Sequence, residues 1–183
     1  MKKLLLAMAF TLGFTGVAHA NIMLEPYLGY EMGKTSDVSS INGKTDAVNL
    51  GLRLAYKTPV MLWLGLDGQF GTSGDYKPDS GSNASLKHNT YYGVVGLDLP
   101  ILLRGWVGYG FSDELKLDSP YSGSLKGTNF KIGVGFTGLP FVSLNAEYIK
   151  GNLTKVSGGP SDGTSLSATD ESVMLSVSLP LVF

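Results

Sequence analysis

Few residues in this chain of 183 could do covalent or metal chemistry. There is no cysteine, so thiolate chemistry, a disulfide framework and cysteine metal sites are all excluded. Past residue 20 there is one histidine, His88, with Ser85 and Asn89 close to it in "ASLKHNT". A serine activated by histidine is a nucleophile, but only with the base in hydrogen-bond reach and a third group orienting it. Serines crowd the stretch before His88, so one nearby carries little weight, and His88 is expected to be a solvated loop residue. The carboxylates Asp75, Asp79, Asp113, Glu114 and Asp118 sit in "DYKPD" and "SDELKLD", which lack the spacing of a calcium loop. No glycine loop is placed to cradle a phosphate. No catalytic residue, cofactor or metal ligand is therefore expected, and the chain is not read as an enzyme.

A second set of charges has a pattern. Glu25, Glu31, Asp67, Asp98 and Glu147 face Arg53, Arg104 and Lys131 in near balance, and each lies in a stretch where apolar residues recur at every second position. From Ala47 to Tyr56, Val48, Leu50, Leu52 and Leu54 alternate with Asn49, Gly51, Arg53 and Ala55. The same period runs through Ile22–Met32, Met61–Phe70, Thr90–Leu99, Ile101–Phe111, Thr128–Thr137, Phe141–Lys150 and the closing "SVMLSVSLPLVF". A period of two is the signature of a strand with two unlike faces, and eight segments carry it.

Punctuation orders these strands. Pro59, Pro100, Pro140 and Pro180 fall at nearly even intervals, the first three in short breaks. Between the breaks lie polar stretches, Gly33 to Thr45, Thr72 to His88, Ser112 to Gly127 and Gly151 to Asp170, rich in turn formers and read as long loops without a basic cluster. Short turns then fall at one end of the strands and long loops at the other. Residues 1–20, "MKKLLLAMAFTLGFTGVAHA", have a Lys2–Lys3 start, an apolar run and an Ala-His-Ala ending. They read as a cleaved secretory signal peptide, with one domain in 21–183.

The phases decide which face meets what. The polar phase is mostly Gly, Ala, Ser and Asn rather than scattered Lys and Glu. That suits a narrow lumen better than a water-facing surface, as do charges able to find partners. Rings on the apolar phase sort to two heights, with Tyr30, Phe70, Tyr91, Tyr109, Phe111, Phe130 and Tyr148 toward the loop end and Tyr56, Phe136 and Phe183 toward the turn end. That is the layout of a membrane barrel's aromatic girdles. Backbone groups in lipid need internal partners, so the sheet must close, last strand against first. The expected fold is all-β, a closed antiparallel eight-stranded transmembrane up-and-down barrel. Tyr27, Tyr92, Trp106 and Arg104 on the inward phase predict a filled lumen crossed by ion pairs that hold strand register. A narrow conductive path is the other reading of the same charges. Net charge is −1, and nucleic acid is not an expected partner.

The signal peptide, eight alternating strands, short turns, long loops and terminal phenylalanine together resemble the small outer-membrane barrels of Gram-negative bacteria. That family includes the outer membrane protein A transmembrane domain, outer membrane protein X and the opacity-type proteins. The resemblance spans 21–183 and rests on pattern. It implies export through the periplasm to the outer membrane. The implied role is structural or surface-interacting through extracellular loops, as a monomer among lipid and lipopolysaccharide, with no particular extracellular ligand indicated. Leu179, Leu181 and Phe183 match the family's signal to the outer-membrane assembly machinery. A small-solute channel and a lipid A-modifying enzyme are the alternative activities. Pro180, lacking an N–H, is expected to end strand pairing and leave Leu181 to Phe183 as a terminal flap.

Overall fold

The computed structural model describes residues 21–37, 42–79, 83–117, 123–157, 163 and 165–183. Residues 1–20, read as a signal peptide, lie outside them. Eight long strands follow one another: β1 (Asn21–Asp37), β2 (Gly43–Lys57), β3 (Leu62–Pro78), β4 (Ala84–Leu99), β5 (Leu103–Leu117), β6 (Gly123–Phe136), β7 (Ser143–Ser157) and β8 (Ser165–Ser178). Each pairs antiparallel with the next, and β8 pairs with β1, so the sheet closes into a barrel. Closure leaves no long edge, and each of the eight strands has a hydrogen-bonded neighbour on both sides.

The strands are longer than the sequence period implied. They contain 14 to 17 residues. Much of what the sequence presented as loop is strand: β1 runs on to Asp37, β3 to Pro78, β5 to Leu117 and β7 to Ser157. Gly, Ser and Asp have poor strand propensity alone, but a barrel wall supplies the partners that override it.

The extension comes with β-bulges. Tyr91 pairs with Ser112 while Tyr92 pairs with Gly110, so one extra residue, Phe111, is accommodated. The strand's inward phase then switches from Arg104, Trp106, Gly108 and Gly110 to Asp113 and Leu115, all buried. An added residue in one strand of a pair re-aims every side chain beyond it. Strict alternation would have pointed Asp113 outward.

The two faces are inverted relative to a soluble barrel. Large apolar residues point away from the lumen and are exposed, for example Leu52, Leu64, Leu66 and Val134 at 47–61%. The charged residues Glu25, Arg53, Asp67, Arg104, Lys131 and Glu147 are at most 3% exposed, inside. Glycines make room there. A Cβ on Gly51 would overlap the Tyr27 ring, and one on Gly133 would overlap Trp106.

The expectation of a terminal flap is corrected. After Pro180 the chain resumes as a two-residue strand, β9 (Leu181–Val182), paired with Met23 and Leu24 of β1. Ile22 and Phe183 exchange both backbone hydrogen bonds, at 3.2 and 3.0 Å, and Leu179 N–H donates to Pro26 C=O at 3.0 Å. Tyr27 pairs with Ser178 and Leu24 with Leu181, so the register runs through Pro180 unshifted. Hydrogen-bonded pairs alternate along an antiparallel ladder. Residues 22, 24 and 26 hold those positions, which puts Pro180 opposite Glu25, where no donor is needed. Pro26 is where a ladder donor is missing.

At the turn end, Met61, Leu102 and Phe141 adopt φ of 66°, 61° and 66°. Each lies within two residues of the proline of its turn. A left-handed residue there folds the chain back into the next strand, at a cost of about 1–2 kcal/mol for a side chain with a Cβ.

Candidate functional site: a layered lumen

The half of the lumen nearer the turns holds a balanced cluster. Arg53, from the middle of β2, sits beneath Trp106 with its guanidinium carbon 4.6 Å from the ring centroid, and lies 5.5 Å from Trp63 and 5.8 Å from Tyr27. It reaches three carboxylates: Asp67 at 3.0 Å, Glu147 at 3.1 Å and Glu25 at 3.2 Å. Arg104 Nη1 contacts both oxygens of Glu25 at 2.8 Å. Lys131 Nζ donates to Asp67 at 2.8 Å, approaches Glu147 at 3.2 Å and lies 4.0 Å from the Tyr92 ring centroid. Neutral donors complete the set: Tyr27 to Asp67 at 2.9 Å, Trp106 to Glu147 at 2.6 Å and Ser178 to Glu25 at 2.6 Å. Three cations thus meet three anions drawn from six strands, β1, β2, β3, β5, β6 and β7. Forked guanidinium bonds and stacked rings are the geometry in which buried charge is tolerated.

Asp98 stands at the edge of that cluster, joined to it through Arg104 and apart from the other three anions. It lies half-buried near the turns, ion-paired with Lys57 and 3.4 Å from Arg104 Nε. Glu31 is separate too and belongs to the loop half of the lumen. Trp63 and Ser178 were not singled out from the sequence, although their inward phase was available to find them.

The loop half contains Glu31, His88, Asp113 and Asp170, all 4–5% exposed. His88, expected in solvent, lies in β4 and points inward. Ser85 is exposed on the opposite face of the same strand, so the serine near His88 in sequence is not near it in space. His88 Nε2 lies 2.6 Å from Asp113 Oδ1, which also accepts from Thr90 at 2.8 Å. Glu31 accepts from Ser172 and Asn49 at 2.6 Å and from Gln69 at 2.9 Å, and Asp170 from Thr35 at 2.9 Å. Toward the loops, Tyr76, Leu86 and Leu115, with Leu125 against them, form an apolar plug.

The outer face of the strand extensions carries lysines that the sequence scattered. Lys34 pairs with Lys44 and Lys44 with Lys77, three in a row across β1, β2 and β3. Lys87 pairs with Lys116, and Lys126 with Lys155. All are exposed. Acidic residues stand among them, with Lys77–Asp46 at 3.0 Å and Lys150–Glu171 at 2.7 Å. Antiparallel pairing collects into a ring what no single stretch displays as a basic cluster.

The barrel architecture has solved counterparts. Neisserial surface protein A superposes with a TM-score of 0.56 at 15% identity, over 87% of this chain and 97% of that one. Ail, the attachment invasion locus protein of Yersinia pestis, gives 0.56 at 14% identity, over 90% and 100%. A structure of Ail with the heparin analogue sucrose octasulfate gives 0.54 at 14% identity, over 87% and 99%. No protein-family model and no curated protein sequence matches the chain. At such identities the likeness is one of fold: the closed, eight-stranded antiparallel barrel of the small outer-membrane proteins.

Proposed function

We propose that this chain is an integral outer-membrane barrel with a closed lumen, structural or surface-interacting and not catalytic. The carrying observation is the inverted distribution of polarity. Buried charge inside and exposed Leu, Val and aromatic residues outside would be unstable in water and suit lipid. The rings support the same placement: Tyr30, Phe70, Tyr91 and Tyr148 on the loop side, Tyr56 and Phe136 on the turn side. With turns toward the periplasm, β1, β3, β5 and β7 extend past the outer girdle as a stiff wall. Export is attributed to residues 1–20. Leu179, Leu181 and Phe183, at 43%, 45% and 73% exposed, remain available to assembly machinery.

The lysine ring would lie at the height of the outer leaflet's headgroups. Like charges directly opposite on neighbouring strands repel. The Lys34–Lys44–Lys77 row therefore favours a phosphate-bearing neighbour such as lipopolysaccharide. The ion-paired layer and the apolar plug support a closed lumen and argue against a conductive path. Deacylation of lipid A is disfavoured because Ser85 is turned away from His88.

Washing membranes with urea or alkali tests the placement: the protein should stay in the outer-membrane fraction, and release would overturn the reading. Planar-bilayer recording should show no steady openings. Lipid A mass spectra from cells with and without the protein should coincide. Heat resistance in micelles should rise with added lipopolysaccharide and less so with dephosphorylated material.

A further inference from the structure

We propose that the loop half of the lumen is a binding site for one first-row divalent metal ion, with Glu31, His88 and Asp170 as ligands and Asp113 orienting the histidine. One donor atom from each of Glu31, His88 and Asp170 lies within 4.8 Å of the other two, and all three residues are buried. They come from β1, β4 and β8, so the barrel wall itself fixes their separation.

The hydrogen bonding suits a metal better than an ion pair. Asp113 is an acceptor, so His88 Nε2 donates to it at 2.6 Å. That leaves Nδ1 as the ring nitrogen available to a metal, and it lies 3.8 Å from Glu31 Oε1, too far for a hydrogen bond. Two ligands about 2.0–2.2 Å from a tetrahedral ion stand roughly 3.3–3.5 Å apart, so His88 and Glu31 need close by only a few tenths of an ångström, while separations of up to 4.8 Å within the trio ask a larger side-chain movement of the third ligand. A carboxylate holding the far nitrogen of a ligating imidazole is the usual second contact of a metal histidine. Thr35 on Asp170 and Ser172 on Glu31 orient the other ligands in the same way.

Charge and unused oxygens point to the same occupant. Three carboxylates face one imidazole, and among the described residues no lysine or arginine forms an ion pair with any of them. Buried like charges are costly without a counter-ion. Asn49 and Gln69, both fully buried, give their amide nitrogens to Glu31 Oε2. The oxygens of those two amide heads, Oδ1 and Oε1, have no partner. Flipping either amide would set an oxygen against a carboxylate, so these oxygens stay without a partner. Mixed nitrogen and oxygen donors suit zinc or manganese rather than magnesium or calcium.

The test is titration of the barrel, extracted in detergent and stripped with a chelator, with Zn²⁺ and separately with Mg²⁺. One Zn²⁺ per chain is expected, bound at least tenfold more tightly than Mg²⁺. His88→Ala and Asp170→Asn should abolish Zn²⁺ binding, and Asp113→Asn should weaken it about 10–100-fold. Gel mobility before and after heating confirms that each variant is folded. No binding, equal affinity for Mg²⁺, or Zn²⁺ binding unchanged in these variants would overturn the site. If a variant fails to fold, the X-ray absorption spectrum of the wild-type zinc form decides: the outer-shell scattering of one imidazole supports the proposal, and its absence refutes it.

Discussion

The two halves of the lumen solve the problem of buried charge differently. Toward the turns, Arg53, Arg104 and Lys131 match Glu25, Asp67 and Glu147, and aromatic rings close over Arg53 and Lys131. Toward the loops, Glu31, Asp113 and Asp170 share one histidine and are held by hydroxyls and amides. The first arrangement balances its charges within the chain and can act as a rigid register lock across six strands. The second has donors in place and negative charge left over. The difference locates structure in one half and capacity for a ligand in the other.

Breaking the inner half should cost most. Arg53→Ala leaves Asp67, Glu25 and Glu147 without their shared partner, and about 3–5 kcal/mol of stability should be lost, read from urea unfolding in micelles. Leu66→Arg, on the outer face midway between Leu62 and Phe70, should cost about 2–4 kcal/mol in a bilayer. The same change should matter far less in the strand extension above Phe70. Gly133→Val drives a side chain into Trp106 and should cost about 1–3 kcal/mol, with a changed tryptophan emission. Pro26→Ala restores the missing donor opposite Leu179. It should change stability by about 1 kcal/mol or less, since the added hydrogen bond is offset by a looser unfolded chain. A large effect there would mean that the seam depends on both prolines.

The two-residue period made the membrane-height strands legible, and with them the inward set Glu25, Arg53, Asp67, Arg104, Lys131 and Glu147. The period depends only on the pleat, which a barrel preserves. It failed where the pleat is interrupted. Beyond the bulge at Phe111 the phase reverses, so Asp113 turns inward unannounced. Strand ends such as Gly151–Ser157, which lead into a polar stretch, read as loop because their strand state comes from neighbours, not from their own propensity. The meeting of Glu31, His88 and Asp170 depends on which strands close the barrel and at what stagger, and no local pattern records that. Pro180 misled for a related reason: whether a missing N–H matters depends on ladder parity, which is set by the partner strand.

The central claim is that lipid meets the apolar phase and that the polar phase is enclosed. The absence of native cysteine allows single spin labels along β8, placed in turn at Val173, Met174, Leu175, Ser176 and Val177 in lipid vesicles. Oxygen accessibility by power saturation should rise at 173, 175 and 177 and fall at 174 and 176. A flat profile, or one with the maxima at 174 and 176, would contradict the account.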